Sequence, residues 1–290
     1  MGRALQTKGE GCKVKFKDLY KSYGISPRKR FGQNFLTDKN IANKIVRLAD
    51  IKSDDVVLEI GSGIGALTDL LVETGAKIIA VEIDRTLFSI LSERFSCKKN
   101  IKILNDDALK ISYKDMAARF GKKLKVVSNL PYNISTPILF KFLDERQAFS
   151  SLVLMLQKEV AERIAAKPSC KDYGVLSVFV QMFMGTKVEF RIPPSAFYPN
   201  PKVYSSVLML DVLDEPRAKI DDTILFKSLV NAAFNQRRKT LSNALKGLAV
   251  PHDVIVEALG ATRIDPGRRG ETLSIEEFAR LCNCLTMIKK

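Results

Sequence analysis

Val56-Val57-Leu58-Glu59-Ile60-Gly61-Ser62-Gly63-Ile64-Gly65 is a short apolar run that breaks into glycines at alternate positions. Residues 66–72 continue at helical spacing and stop at Gly75. A strand feeding a helix through a glycine turn is the first half of a βαβ unit. Glycine lets the backbone turn tightly and approach a ligand with no Cβ in the way. Through Ala66 the run also reads G-x-G-x-x-A, so a dinucleotide and an S-adenosylmethionine site both remain open at this point.

The pattern repeats outward. Strands are expected at Lys77–Val81, Ile101–Leu104, 126–128 and 152–156, with helices at 86–95, Tyr113–Phe120 and 135–143 between them. Upstream, Ile41, Ile45 and Leu48 share a helical face behind Thr37 or Asp38 as N-cap. Short strands alternating with helices imply an α/β fold, a parallel sheet covered on both faces. Two further strands, 187–192 and 206–210, have no helix between them, and Pro193, Pro194, Pro199 and Pro201 stiffen their connection. These two are expected to pair antiparallel at the end of the sheet. After Asp214 the pattern is helical. Leu225, Leu229 and Ala233 follow Asp222, a short helix at 252–259 lies between Pro251 and Gly260, and Ser274 with Glu277 forms a capping box. The expected division is a basic extension (1–24), a catalytic domain (25–213) and a helical RNA-binding domain (214–290).

The 290 residues carry a formal charge of +15 and a pI near 9.6, which suits a polyanionic partner. Residues 1–30 contribute +7 and residues 215–290 a further +4, so both ends are basic. Arg28-Lys29-Arg30 and Arg237-Arg238-Lys239 are the candidate RNA contacts, with bracing of the domain interface as the competing role for Arg237 and Arg238. The longest nearly apolar stretch, residues 175–184, is too short to span a bilayer. The N-terminal lysines precede no apolar block, and Glu10 and Asp18 sit among them, so neither a secretory signal nor a transit peptide is expected. The cysteines are Cys12, Cys97, Cys170, Cys282 and Cys284. They form no C-x-x-C pair, and the one histidine is His252. Reduced thiols in a cytoplasmic protein without a metal site follow.

Three further strand ends carry polar groups. After Lys77–Val81 come Glu82-Ile83-Asp84, where a carboxylate can accept both hydroxyls of a ribose. After Ile101–Leu104 come Asn105-Asp106-Asp107-Ala108, where Asp107 is the expected partner of an adenine amine, an arrangement that favours S-adenosylmethionine. The third end is Ser128-Asn129-Leu130-Pro131-Tyr132, the most specific element in the chain. An adenine exocyclic amine is a poor nucleophile because its lone pair is delocalised into the ring. Acceptors on its two N–H groups, the Asn129 side-chain oxygen and the Leu130 carbonyl, draw it toward tetrahedral geometry. Pro131 biases Leu130 to an extended conformation and so aims that carbonyl. Tyr132 can stack on the base, and Phe197, in a proline-braced segment, is the candidate for the opposite face of a flipped-base sandwich.

With these residues in view, the chain resembles the bacterial small-subunit ribosomal RNA adenine dimethyltransferase family, the kasugamycin-sensitivity enzymes. The likeness runs over roughly residues 25–288. It rests on Arg30-Phe31-Gly32-Gln33-Asn34-Phe35-Leu36, Glu59 through Gly65, Asp107-Ala108, Asn129 through Tyr132, Leu156-Gln157-Lys158-Glu159-Val160, Tyr173-Gly174 and Phe234-Asn235-Gln236-Arg237-Arg238-Lys239-Thr240. The resemblance implies a Rossmann-like, seven-stranded S-adenosylmethionine methyltransferase sheet with a small all-helical C-terminal domain. It implies cofactor contacts at Asn34, Leu36, Gly61, Glu82, Asp107 and Asn129, and Gln33, Glu59, Gly63, Gly65, Ile83 and Ala108 complete the expected set. It further implies N6,N6-dimethylation of two adjacent adenosines near the 3′ end of the small-subunit RNA during ribosome assembly.

Three other readings compete. One is the related macrolide-resistance methyltransferase of the large-subunit RNA. Another is a nucleic-acid-binding relative with a non-catalytic role, and the third an NAD-linked oxidoreductase. Gln236 through Thr240 and the tail around Ser274-Ile275-Glu276-Glu277-Phe278 favour the small-subunit enzyme, and the intact Asn129-Leu130-Pro131-Tyr132 argues against lost catalysis.

Overall fold

β2 (Val56–Ile60) is buried at every position because it pairs in parallel on both sides, with β3 (Lys77–Val81) and with β5 (Leu124–Asn129). The computed structural model describes residues 32–288. β4 (Ile101–Leu104) extends the sheet beyond β3, and β6 (Phe149–Gln157) extends it beyond β5, again in parallel. β9 (Ser205–Val212) then inserts antiparallel between β6 and β7 (Met184–Ile192). The seven-stranded order is β4-β3-β2-β5-β6-β9-β7, with the expected antiparallel pair at one end. The direction of strand progression reverses between β2 and β5, and ligands bind outside the carboxyl ends of strands at such a switch point.

Period-2 alternation sends successive side chains to two cores. Val56, Leu58 and Ile60 face one and Val57 the other; Leu152 and Leu154 face one, Val153 and Met155 the other. The second face is closed by α1 (Lys39–Leu48), α2 (Thr68–Val72) and α3 (Arg85–Arg94). The first is covered by α4 (Tyr113–Phe120), α5 (Ser135–Asp144), α6 (Lys158–Ala165) and α7 (Val175–Phe183). Asp38 is the N-cap of α1, accepting from the Asn40 and Ile41 N–H groups. The helix expected from residue 66 begins only at Thr68, and residues 63–67 form turns. α6 and α7 have no counterpart in the reading of the sequence. α7 is buried on nearly every side, so it lacks the apolar stripe by which a surface helix is recognised.

Beyond β9 the chain is helical: α8 (Thr223–Asn235), α9 (Leu241–Ala244), α10 (His252–Ala261) and α11 (Ile275–Ile288). α10 runs one residue past the Gly260 expected to stop it. At the start of α11, the Glu277 N–H donates to Ser274 Oγ and the Ser274 N–H to Glu277 Oε2, the reciprocal cap read from the sequence. The boundary expected near residue 213 falls in the connection from β9 to α8, and one hydrophobic core runs through it. Phe179 of α7 meets Phe226 of α8 edge-on at 6.0 Å, and Tyr173 meets Phe234 at 5.8 Å.

Candidate active site

A cleft lies at the carboxyl ends of β2, β3, β4 and β5 and is lined from all four strand ends. Gly61 and Gly63 form its floor in left-handed conformations, φ +69° and +61°. A Cβ at Gly61 would lie 3.0 Å from the Pro131 ring, and one at Gly63 would lie 2.9 Å from the Phe35 ring. The floor is therefore clamped between the Asn129–Tyr132 loop and the N-terminal segment, and only glycine fits. Gly65 lies away from the cleft, packed against Arg94 and Phe95 of the next helix.

Glu82 is buried. Its Oε2 accepts the Gly63 N–H at 2.9 Å and its Oε1 the Asp84 N–H at 2.9 Å. Burial pushes its carboxyl up to about 7, against the pull of those two N–H groups. Glu82 also lines the cleft, and beyond these two bonds each carboxylate oxygen has capacity to accept one more, as a ribose diol requires. Ile83, Asp106, Asp107 and Ala108 line the same wall. Asp107 Oδ1 accepts the Leu109 N–H at 3.0 Å, which fixes the carboxylate at the end of β4. Glu59 and Leu36 instead line a smaller cavity behind the glycines. Glu59 is fully enclosed, accepts the Thr68 hydroxyl at 2.6 Å, and is pushed up to about 8 by desolvation.

At the end of β5, Asn129 Nδ2 donates to the Asn34 carbonyl at 2.9 Å. A carbonyl can only accept, so this bond fixes the amide orientation and leaves Oδ1 accepting nothing from the described residues. Leu130 is anchored by its N–H to the Met155 carbonyl at 3.2 Å, and its own carbonyl accepts nothing from the described residues. The Tyr132 hydroxyl hydrogen-bonds Ser205 Oγ at 2.6 Å, holding the half-buried ring beside these acceptors.

The cleft holds Glu82, Asp106 and Asp107 and no lysine or arginine among its described lining residues. The helix that follows is assigned from Thr68, three residues after Gly65. A pyrophosphate would want that terminus or a cation close by. The negative lining suits S-adenosylmethionine, with its cationic sulfonium and amino group, and disfavours NAD.

Comparison with known proteins agrees. The family described as "Ribosomal RNA adenine dimethylase" matches residues 24–287. The chain belongs to the ribosomal RNA adenine dimethylase family. It is similar to the Ribosomal RNA small subunit methyltransferase A of Geobacter metallireducens, 47% identical over 265 residues covering 90% of this chain and 96% of the relative. The Alkaliphilus oremlandii protein of the same name is 45% identical, covering 93% and 96%. The crystal structure of a dimethyladenosine transferase from Plasmodium falciparum superposes with a TM-score of 0.74 at 28% identity, over 85% of this chain and 95% of that one. The 23S rRNA methyltransferase ErmE superposes at 0.66 with 24% identity over 87% and 100%, a likeness of fold. The dimethylase is thus an RNA methyltransferase that uses S-adenosylmethionine.

Two of the expected site residues of the dimethylase are held by contacts within the fold. Phe197 does not face the cleft. β8 (Phe197–Tyr198) pairs with β1 (Phe35–Leu36), Leu36 opposite Phe197, and the Phe197 ring is 0% exposed in the core with Leu36, Ile192 and Val207. Its ring is not among the residues that line the cleft beside Tyr132. Two-residue strands leave no periodic signal, so this pairing was invisible in the sequence. Arg237 is a brace: it donates to Glu271 at 3.0 and 3.2 Å and to the Lys171 and Tyr173 carbonyls at 2.7 and 3.1 Å. Arg238 and Lys239 are exposed, and their side chains make no hydrogen bond or ion pair with described residues. Arg28, Lys29 and Arg30 lie outside the described residues.

The dimethylase cleft also includes Phe35, Asn133 and Ile134, none of which was among the expected site residues. Asn133 follows Tyr132 directly, and its side chain lies against Gly32, so adjacency to the catalytic tetrapeptide was the available signal. No described helix is long and apolar enough to cross a membrane.

Proposed function

We propose that this dimethylase acts in the cytoplasm on two adjacent adenosines near the 3′ end of the small-subunit ribosomal RNA, converting each to N6,N6-dimethyladenosine during subunit assembly. The target assignment is supported by identity to small-subunit methyltransferases over 96% of their length. The chemistry is supported by one observation, the Asn34 carbonyl that fixes the Asn129 amide and leaves its oxygen unbonded among the described residues.

S-adenosylmethionine supplies an electrophilic methyl group on a sulfonium. Glu82 and Asp107 hold its adenosine, and Gly61 and Gly63 admit it close to the backbone. The target adenosine leaves its stack and lies against Tyr132. Asn129 Oδ1 and the Leu130 carbonyl accept the two N6–H groups. As the nitrogen gains its bond to the methyl carbon, that carbon's bond to sulfur would break and leave a neutral thioether; the nitrogen becomes positive, and both acceptors stabilise that charge. The acidity of the product ammonium then sends one proton to water, so no dedicated base is needed. The first methylation leaves one N–H, enough for one acceptor to orient the second.

The test is methyl transfer to purified small subunits lacking the modification, with large subunits alongside. Dimethyladenosine on the small subunit alone supports the reading. Transfer to the large subunit alone replaces it with the macrolide-resistance type, and no transfer to either leaves the non-catalytic relative.

A further inference from the structure

β9 runs antiparallel to β6, so its first residue, Ser205, stands at the same sheet edge as Asn129, opposite Gln157 and Ile192. Ser205 holds the Tyr132 hydroxyl from inside the fold. The residue before it, Tyr204, is fixed through its backbone, its carbonyl accepting the Lys158 N–H at 2.9 Å. The Tyr204 side chain, by contrast, is 53% exposed and makes no ring contact or hydrogen bond with described residues. Val203 is 45% exposed and Tyr198 is 38% exposed. Scattered apolar side chains need no explanation, but three of the seven large exposed ones among the described residues fall between 198 and 204. Pro199 and Pro201 stiffen this stretch, which carries Lys202 and no acid.

We propose that Tyr204, flanked by Val203 and Lys202, is a stacking platform for the nucleotide next to the adenosine being methylated. The proposal rests on the RNA-methylation reading above and adds a substrate-positioning residue to it. β9 lies two strand spacings from β5, about 10 Å, so the platform begins beside the target-base pocket and continues its surface. A single-stranded nucleotide presents a π-face whatever its base, and a phosphate; the ring meets the first and Lys202 the second. With two adjacent target adenosines, the one outside the pocket is the natural occupant. N6-methyl groups leave its π-face available, so the platform serves both before and after the first adenosine is modified. The bond from the Lys158 N–H fixes the backbone that carries the ring, so only side-chain freedom is lost on binding.

The experiment compares Tyr204→Ser and Tyr204→Phe with wild type on unmodified small subunits, varying subunit concentration at saturating S-adenosylmethionine. Tyr204→Ser should raise the KM for the subunit roughly 5- to 150-fold, the range for losing one base–aromatic stack. Its melting temperature and cofactor affinity should match wild type, and Tyr204→Phe should restore the wild-type KM. An unchanged KM in Tyr204→Ser, or an equal loss in Tyr204→Phe, overturns the platform. Wild-type enzyme that transfers no methyl to small subunits overturns the reading beneath it.

Discussion

Replacing Asn129 with alanine removes two hydrogen bonds with different consequences. The Nδ2 bond to the Asn34 carbonyl, 2.9 Å long, is a partly buried ground-state contact between β5 and the N-terminal segment. Its loss should cost about 0.5–1.5 kcal/mol, felt in cofactor affinity or stability. The Oδ1 acceptor acts where positive charge develops on N6, so its loss appears in the rate. By analogy with removing one oxyanion-hole donor, the barrier should rise by about 2.7–4 kcal/mol, or roughly 100- to 1,000-fold in kcat. The Leu130 carbonyl remains, held by its own N–H bond to Met155. The unmethylated amine has two N–H groups with which to find that one acceptor, and the monomethylated amine has one. Monomethyladenosine should therefore accumulate. The assay is mass spectrometry of nucleosides from treated small subunits at saturating cofactor. Dimethyladenosine at the wild-type rate would refute a catalytic Asn129. A slow reaction with the wild-type product ratio would refute the argument about the second step alone.

Glu82→Ala should weaken S-adenosylmethionine binding by about 1.5–3 kcal/mol, read by calorimetry; unchanged affinity in a folded variant would remove Glu82 from the site. Burial raises the Glu59 carboxyl from 4.5 to about 8, so between those pH values the folded protein keeps a proton that the unfolded chain releases. Stability of the cofactor-free protein should therefore fall as pH rises through that window, by at most about 1.4 kcal/mol per pH unit from this group. Glu59→Gln should flatten the profile of melting temperature from pH 5 to 8, and parallel profiles would contradict the assignment. Arg237→Ala should lower the melting temperature and leave the salt dependence of RNA binding intact. Neutralising Arg238 and Lys239 should do the reverse, each lost phosphate contact reducing the slope by about 0.7–0.9; an unaltered slope would take these two off the RNA surface.

Much of the sheet was legible because its strands are short, apolar and punctuated by glycines. Glu82, Asp107 and Asn129 line one cleft, a shared placement legible because each stands at or just beyond the carboxyl end of a strand read from the sequence. What escaped was non-periodic or non-local. α7 is apolar all round and reads as no particular element. Phe197 sits in a motif that suggests exposure, and a two-residue ladder across 161 positions of sequence turns it inward. Arg237 belongs to a basic triplet whose members look alike in sequence. Only its carbonyl and carboxylate partners, contributed by residues 171, 173 and 271, distinguish it from Arg238.

The core that passes uninterrupted from the sheet into the C-terminal helices sets a condition on modularity. Phe179 and Tyr173 belong to the catalytic half by sequence, yet their rings close against Phe226 and Phe234 of α8. Cutting the chain near residue 213 would leave those rings facing water. A transplant of the helical half between relatives would have to carry α7 and the 171–175 turn with it. Substrate preference in this architecture is accordingly inherited as a co-adapted seam, and exchanging targets requires recutting both sides of that seam together.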